Sequence, residues 1–435
     1  MHPFKLLLFV VFIFTSSAVF SAKTESALKG VKAIKAIKVG KQPKLHINSK
    51  TPELRSIKER MAALNVPAVS IAFMENHKIS WTLTERVIDF MSHREIDKNT
   101  VFQAASISKP VIASVLLKKL QKQSLGFDSD INKLPEIWQF PRHKWFKSSS
   151  APFSRLLSHS AGASIHGFRG YAAGGFMFPI IDLLKGVGSA NSKPILVDTE
   201  PSTALQYTGG GTSLAQLVLQ ERSRIPLPDL AKIHILDSFG LEHSIYFQSL
   251  SEQLAKNAAV PYRSNGLLVA GGAHTNATHR AAGLWMTPSE LLKLASKIQS
   301  SYQGLDKLPS INKTVSKILA SQIESMEIGL FLEKQDGMIT SFSHDRANDG
   351  FRSNLFIHPQ TGDGIAIMTN SDNGWELMND LLTYISEVYG WKEFSQLDKN
   401  VIVLKSELPQ LINGEYKVRK PLESTLVLVA EGEQY

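Results

Sequence analysis

Two blocks of alternating apolar and polar residues, one near each end of the chain, flank a long stretch with helical spacing. AVSIAFM (68–74) and KISWTLT (78–84) predict two strands joined by the turn Glu75-Asn76-His77. EIGLFLE (327–333), MITSFSH (338–344), SNLFIHP (353–359) and GIAIMTN (364–370) predict four more, with Asp336-Gly337 and Thr361-Gly362-Asp363-Gly364 as hairpin turns. An amphipathic helix, WELMNDLLTYISEVYG (375–390), follows. Between about 128 and 320 strand patterns are scarce, and helical ones recur at 153–159, 212–223, 227–236 and 288–299. Strands at both chain ends most simply form one antiparallel sheet flanked by helices, with an inserted, mainly helical subdomain and a cleft between them. The fold class is therefore α+β. Tyr416–Val418 and Thr425–Ala430 predict a small hairpin in a C-terminal extension, 396–435.

The N-terminus reads differently. Met1 to Ala22 has Lys5, the apolar run LLLFVVFIF and then TSSAVFSA, the pattern of a secretory signal; an uncleaved anchor is the alternative. Export to a bacterial periplasm or medium is the expectation, and the absence of cysteine fits it, since no disulfide can form. The net charge of +9 over 435 residues is concentrated in the first 50, which hold nine Lys and one acid, Glu25. In the arm 23–51 Lys recurs every third residue from Lys29 to Lys44. That period drifts around a helix, so the arm reads as a solvated linker, with docking to anionic membrane or wall polymer as the alternative. The body, 52–395, is nearly neutral and carries no nucleic-acid-binding motif, which argues against a nucleic-acid partner.

Candidate chemistry begins at FQAASISKPVIASVLLKKL (102–120). Ser106 and Lys109 stand at i and i+3, on one face of a helix whose start Pro110 fixes nearby. The apolar residues that follow, Val111, Ile112, Val115, Leu116 and Leu117, would bury the amine and keep it neutral, able to take the serine proton. Two other Ser-x-x-Lys pairs, Ser26/Lys29 and Ser310/Lys313, lack such a helix. LQYTGGG (205–211) presents Tyr207 before three glycines, which would allow a substrate close to the backbone. SFSHDRANDGF (341–351) ends an apolar strand with His344, placed to donate to a substrate oxygen or leaving group. Each residue taken singly also fits a structural role. The histidines of LHINSK and HTNATH (274–279) form no credible metal set, and no cofactor is expected.

From about Ser56 to Trp391 the chain resembles the serine hydrolases related to class C β-lactamases, which include penicillin-binding D,D-peptidases and β-lactamase-fold esterases. The resemblance rests on SISK (106–109), LLSHSAG (156–162), GFRGY (167–171), QYTGGG (206–211), AAGLWMTPSELLKLA (281–295), HDRANDGFRS (344–353) and AIMTNSDNG (366–374). It implies a β-lactamase/transpeptidase-like fold, with Ser106 as the acylated serine and Lys109 as its motif lysine. It further implies Tyr207 as the tyrosine of Tyr-x-Asn, His344 at the lysine position of Lys-Thr-Gly, and an oxyanion hole from the Ser106 and Ala347 amides. Gly209, Arg346 and Asn348 fall at substrate-binding positions, and His159 and Gly162 match a segment of structural role. Three departures bear on substrate. Gly209 replaces the amide-binding Asn, His344 replaces the lysine that captures a β-lactam carboxylate, and Arg346 replaces a Gly beside the serine. Arg346 would narrow the cleft, bind a substrate carboxylate or be displaced by a bulge. The expected activity is acyl transfer through Ser106 on a small ester or amide or a peptidoglycan-type peptide, with carboxylesterase or D-amino-acid peptidase favoured over efficient β-lactamase. A catalytically silent envelope-binding protein of the same fold is the alternative.

Overall fold

A computed structural model describes residues 26–39, 56–122, 129–130, 153–168, 170–173, 179–203, 205–246, 250, 252–275, 283–302, 326–327, 330–394, 414–417 and 425–428. The expected signal segment, 1–22, lies outside these residues, as do LHINSK, His279 and Ser310/Lys313.

The elements in chain order are α1 (26–39), α2 (Ile57–Ala63), β1 (Ala68–Glu75), β2 (Lys78–Arg86), β3 (Phe102–Gln103) and α3 (Lys109–Lys122). Next come α4 (Phe153–Leu157), α5 (Ile180–Lys185), α6 (Gly209–Ser223), α7 (Leu227–Ala231), β4 (Ile245–Tyr246), α8 (Glu252–Ala255), β5 (Leu284–Met286) and α9 (Pro288–Tyr302). The last group is β6 (Met326–Glu327), β7 (Leu330–Gln335), β8 (Met338–Asn348), β9 (Phe351–His358), β10 (Asp363–Thr369), α10 (Gly374–Tyr389), β11 (Gly414–Lys417) and β12 (Thr425–Leu428).

The two terminal blocks do meet in one antiparallel sheet, in the order β2-β1-β10-β9-β8-β7-β6. β1 pairs with β10, Val69 opposite Thr369 and Phe73 opposite Ile365, which joins the ends of the chain. The β1–β2 turn closes on Asn76 and His77, both at positive φ, the hand that a tight hairpin needs. β11 and β12 pair antiparallel, Tyr416 opposite Leu426.

One sheet face packs against α1, α2 and α10 through Ile37, Met61, Val69, Ile71, Phe73, Ile365, Ile367, Leu377 and Leu381. The other face packs against α9 and the segment from Ile107 to Leu116. α9 therefore belongs to the sheet layer, although its sequence position, 288–302, lies within the expected 128–320 subdomain. In that stretch β4 and β5 also add a three-stranded sheet with β3, in the order β3-β5-β4.

Residues 26–39 depart from the expected solvated linker: they form α1, with Gly30, Ala33 and Ile37 buried. The reason lies in the small and apolar residues between the lysines. Gly30, Ala33, Ile34 and Ile37 recur at i, i+3, i+4 and i+7, a helical stripe that a count of lysines alone misses. At Gly30 the helix approaches so closely that a Cβ would meet Trp81 Cδ1 at 2.8 Å.

Candidate active site

The site is built where β3 turns into α3. Ala104 N–H donates to the Leu284 carbonyl at 2.9 Å, and the chain then makes a 3-10 turn, Ala105–Ser108, before the α-helix proper. Ala105 has φ +50°, a left-handed backbone that costs a non-glycine residue roughly 1 kcal/mol or more. Neighbouring bonds hold it there. Ser108 Oγ donates to the Ala105 carbonyl at 2.5 Å and accepts from Leu284 N–H at 3.2 Å, and Tyr246 Oη donates to the Ser108 carbonyl at 2.6 Å. Ser106, half-buried, sits on this tethered turn.

Lys109 is buried, 3% exposed, with Val111, Ile112, Val115 and Leu116 below it in the core. Its Nζ lies 2.8 Å from Tyr207 Oη. Burial lowers the Lys109 pKa, an effect that Tyr207 partly offsets and Arg346 reinforces. Burial alone would raise the Tyr207 pKa, but the Lys109 and Arg346 cations, the Lys109 hydrogen bond and a smaller effect of Ser106 outweigh it, and the phenol lies below its ordinary value. Lys109 and Tyr207 thus meet at the phenol oxygen with Ser106 nearby, although ninety-eight positions separate Lys109 from Tyr207 in the chain.

His159 fixes that phenol. Its Nδ1 accepts from Thr208 N–H at 3.0 Å and its carbonyl accepts from Gln206 N–H at 2.9 Å, so one residue clamps both neighbours of Tyr207. Its ring also stacks on Tyr207, centroids 4.4 Å apart. A left-handed backbone, φ +55°, lets the His159 carbonyl and ring reach the same segment, 206–208. Thr208 then caps α6, its Oγ1 accepting from Gly210 N–H at 3.1 Å.

The three glycines do not line a substrate path. Gly209 is buried beneath the 165–168 loop, its N–H donating to the Ile165 and His166 carbonyls at 3.1 and 3.0 Å. A Cβ on Gly210 would meet Ile195 Cδ1 at 2.7 Å. The close approach that glycine permits here is made by the protein's own loops.

On the opposite wall β8 runs four residues past the predicted strand end, to Asn348. His344 is consequently inside the strand and fully buried, with no hydrogen-bond partner on either ring nitrogen. It faces Phe331 edge-on at 5.7 Å. Burial, with Arg346, Lys109 and His159 nearby, holds its pKa well below the ordinary histidine value, so the ring is neutral. Arg346 is not displaced by a bulge, because the β8–β9 register is unbroken from Phe342 to Asn348. Its guanidinium lies over the Tyr207 ring at 4.1 Å and the Phe331 ring at 4.9 Å, and donates to the Asp345 carbonyl at 2.8 Å. It narrows the space above Tyr207.

Beside these residues a cleft of about 720 Å³ is lined by His166, Gly167, Phe168, Arg263, Ala347 and Asn348, among others. Ala347 is exposed on it. The hairpin that carries Ala347 is tied down by Asp372, which accepts from Gly350 N–H at 2.9 Å and pairs with Arg352 at 3.0 Å and Arg263 at 3.4 Å. Asn348 Nδ2 donates to Gln103 Oε1 at 2.5 Å. The contributions of His166, Phe331, Arg263 and Asp372 had no local signal, because each comes from a different loop or strand and only the fold brings them to the cleft.

A family model described as Beta-lactamase matches residues 55–389. The chain belongs to the Beta-lactamase family. Members of this family are generally serine hydrolases. Among solved structures, the chain is similar to an octameric penicillin-binding protein homologue from Pyrococcus abyssi, at 18% identity and a TM-score of 0.58, covering 77% of this chain and 76% of that one. It is also similar to EstCE1, a hydrolase with promiscuous acyltransferase activity, at 13% identity and a TM-score of 0.59, covering 76% of this chain and 96% of that one. At such identities the likeness speaks to the fold, which is β-lactamase/transpeptidase-like. No curated protein matches the sequence.

Proposed function

We propose that the protein is an exported serine hydrolase that works through an acyl-enzyme on small esters or amides. The observation that carries this reading is the 2.8 Å contact between Lys109 Nζ and Tyr207 Oη, with Ser106 near enough to the same phenol to help lower its pKa. Lys109 and Tyr207 take the Ser106 proton as Ser106 Oγ bonds to the substrate carbonyl carbon. The oxyanion that forms is held by the Ser106 and Ala347 amides. The same proton then goes to the leaving group as its bond breaks, and the pair next activates a water that releases the acid and frees Ser106. His344, closed from solvent, backs the site as a neutral ring rather than meeting substrate.

Arg346 over Tyr207 and the absence of a side-chain amide at Gly209 support carboxylesterase or D-amino-acid peptidase chemistry over efficient β-lactam turnover. Export rests on the 1–22 pattern. One observation favours a second reading, a silent envelope-binding protein: the Arg346 guanidinium covers the tyrosine that catalysis needs. Hydrolysis of p-nitrophenyl acetate and butyrate by the purified protein, lost in Ser106→Ala, separates the two. Nitrocefin turnover comparable to ester turnover would overturn the substrate preference.

A further inference from the structure

The far face of the sheet carries a second built feature. α1 buries Gly30, Ala33 and Ile37 and turns Leu28, Val31, Lys32, Lys35 and Val39 outward. Leu28, Val31 and Val39 are 64%, 64% and 62% exposed, an unusual concentration of apolar surface on one short helix. Between α1 and α10 lies a groove of about 420 Å³, lined by Lys32, Lys35, Ala36, Val39, Tyr384, Glu387 and Val388. Its walls are apolar, and two lysines face one carboxylate. Tyr384 is 5% exposed, and its hydroxyl has no hydrogen-bond partner. A buried hydroxyl left without a partner is costly, so such a donor in a groove marks a place for an acceptor. Burial raises its pKa to about 12, so it stays a donor.

We propose that α1 and the adjoining face of α10 dock on an anionic phospholipid surface. Lys32, Lys35 and the Tyr384 hydroxyl take a headgroup phosphate, while Leu28, Val31 and Val39 enter the acyl boundary. Charge complementarity supports this occupant, because the first 50 residues carry nine Lys and one acid and the rest of the chain is almost neutral. The exposed apolar trio selects a bilayer over a soluble polyanion, which needs only the lysines. Docking here leaves the cleft open, since the turn that carries Ser106 packs against β8 and β9 on the other side of the sheet.

The test is co-sedimentation of the chain, as its host exports it, with vesicles of phosphatidylcholine alone or mixed with phosphatidylglycerol. Binding is expected on the mixed vesicles only, weakening as salt rises. The pair K32E/K35E and the triple L28S/V31S/V39S should each weaken it by about tenfold or more, and Y384F should weaken it less. Equal binding to neutral vesicles, or binding unchanged in K32E/K35E, overturns the proposal, because residues 1–22 or another surface then hold the chain. Loss in K32E/K35E without loss in L28S/V31S/V39S also overturns it in favour of polyanion binding. Ester hydrolysis should be unchanged in all of these variants, so this outcome is separate from that of the Ser106 reading.

Discussion

At the scale of single residues, burial comes first: it disfavours the charged forms of Lys109, His159, His166 and His344, and neighbouring cations add to that effect. Arg346 is the permanent charge among them, and it lowers the pKa of Lys109, Tyr207, His344, His159 and His166 alike. Removing that charge lets each pKa rise. If Lys109 and Tyr207 must shed a proton to work, activity appears on the rising limb of the pH profile, and Arg346→Ala should move that limb to higher pH. Measuring kcat/KM for a p-nitrophenyl ester across pH in both proteins checks this; an unmoved limb contradicts the electrostatic role. Opening the space over Tyr207 should also raise kcat/KM for bulkier acyl groups relative to acetate. The two effects are separable, because Arg346→Lys keeps a charge and loses the planar stack.

The elements explain why some of this was readable and some was not. The SISK helix, the three hairpins and α10 follow from local periodicity and turn chemistry, and the structure has each within a few residues of its predicted bounds. The extent of β8 was hidden because Asp345, Arg346 and Asn348 break the apolar alternation while still pairing with β9. That misjudged strand end is why His344 was expected to face substrate and is instead buried. The clamp of His159 on Tyr207 depends on a left-handed histidine meeting a segment far along the chain, and no spacing rule predicts it. His159→Ala should reduce kcat by about tenfold or more through misplacement of Tyr207, with KM little changed; single-turnover kinetics would show it. α1 has its own test. Ile37 is 1% exposed in the core under the sheet, so Ile37→Ala should cost about 2–5 kcal/mol in urea unfolding. A cost near zero would return residues 26–39 to a linker.

For the whole molecule, the sheet joins strands from the two end blocks through the β1–β10 pair, and the Ser106 turn lies on one face while the basic helix lies on the other. The same buried histidines that serve the site also set the acid stability of the fold. His159 and His344 are both fully buried with pKa values well below the ordinary one, so the unfolded chain binds more protons than the native one as pH falls. Their contribution is complete above about pH 6.5 and declines below it, by up to about 1.4 kcal/mol per pH unit for each histidine. Thermal or urea unfolding between pH 7 and 5 should show this slope, and His344→Phe should reduce it.

The proposed chemistry requires Ser106 to carry the acyl group. The most direct measurement is intact-protein and peptide mass spectrometry after brief reaction with a fluorophosphonate or a slowly hydrolysed p-nitrophenyl ester. The predicted result is one adduct per chain, on the peptide containing Ser106, absent in Ser106→Ala and slowed in Lys109→Ala and Tyr207→Phe. Labelling of Ser106→Ala at the wild-type rate, or an adduct on another residue, would contradict the account.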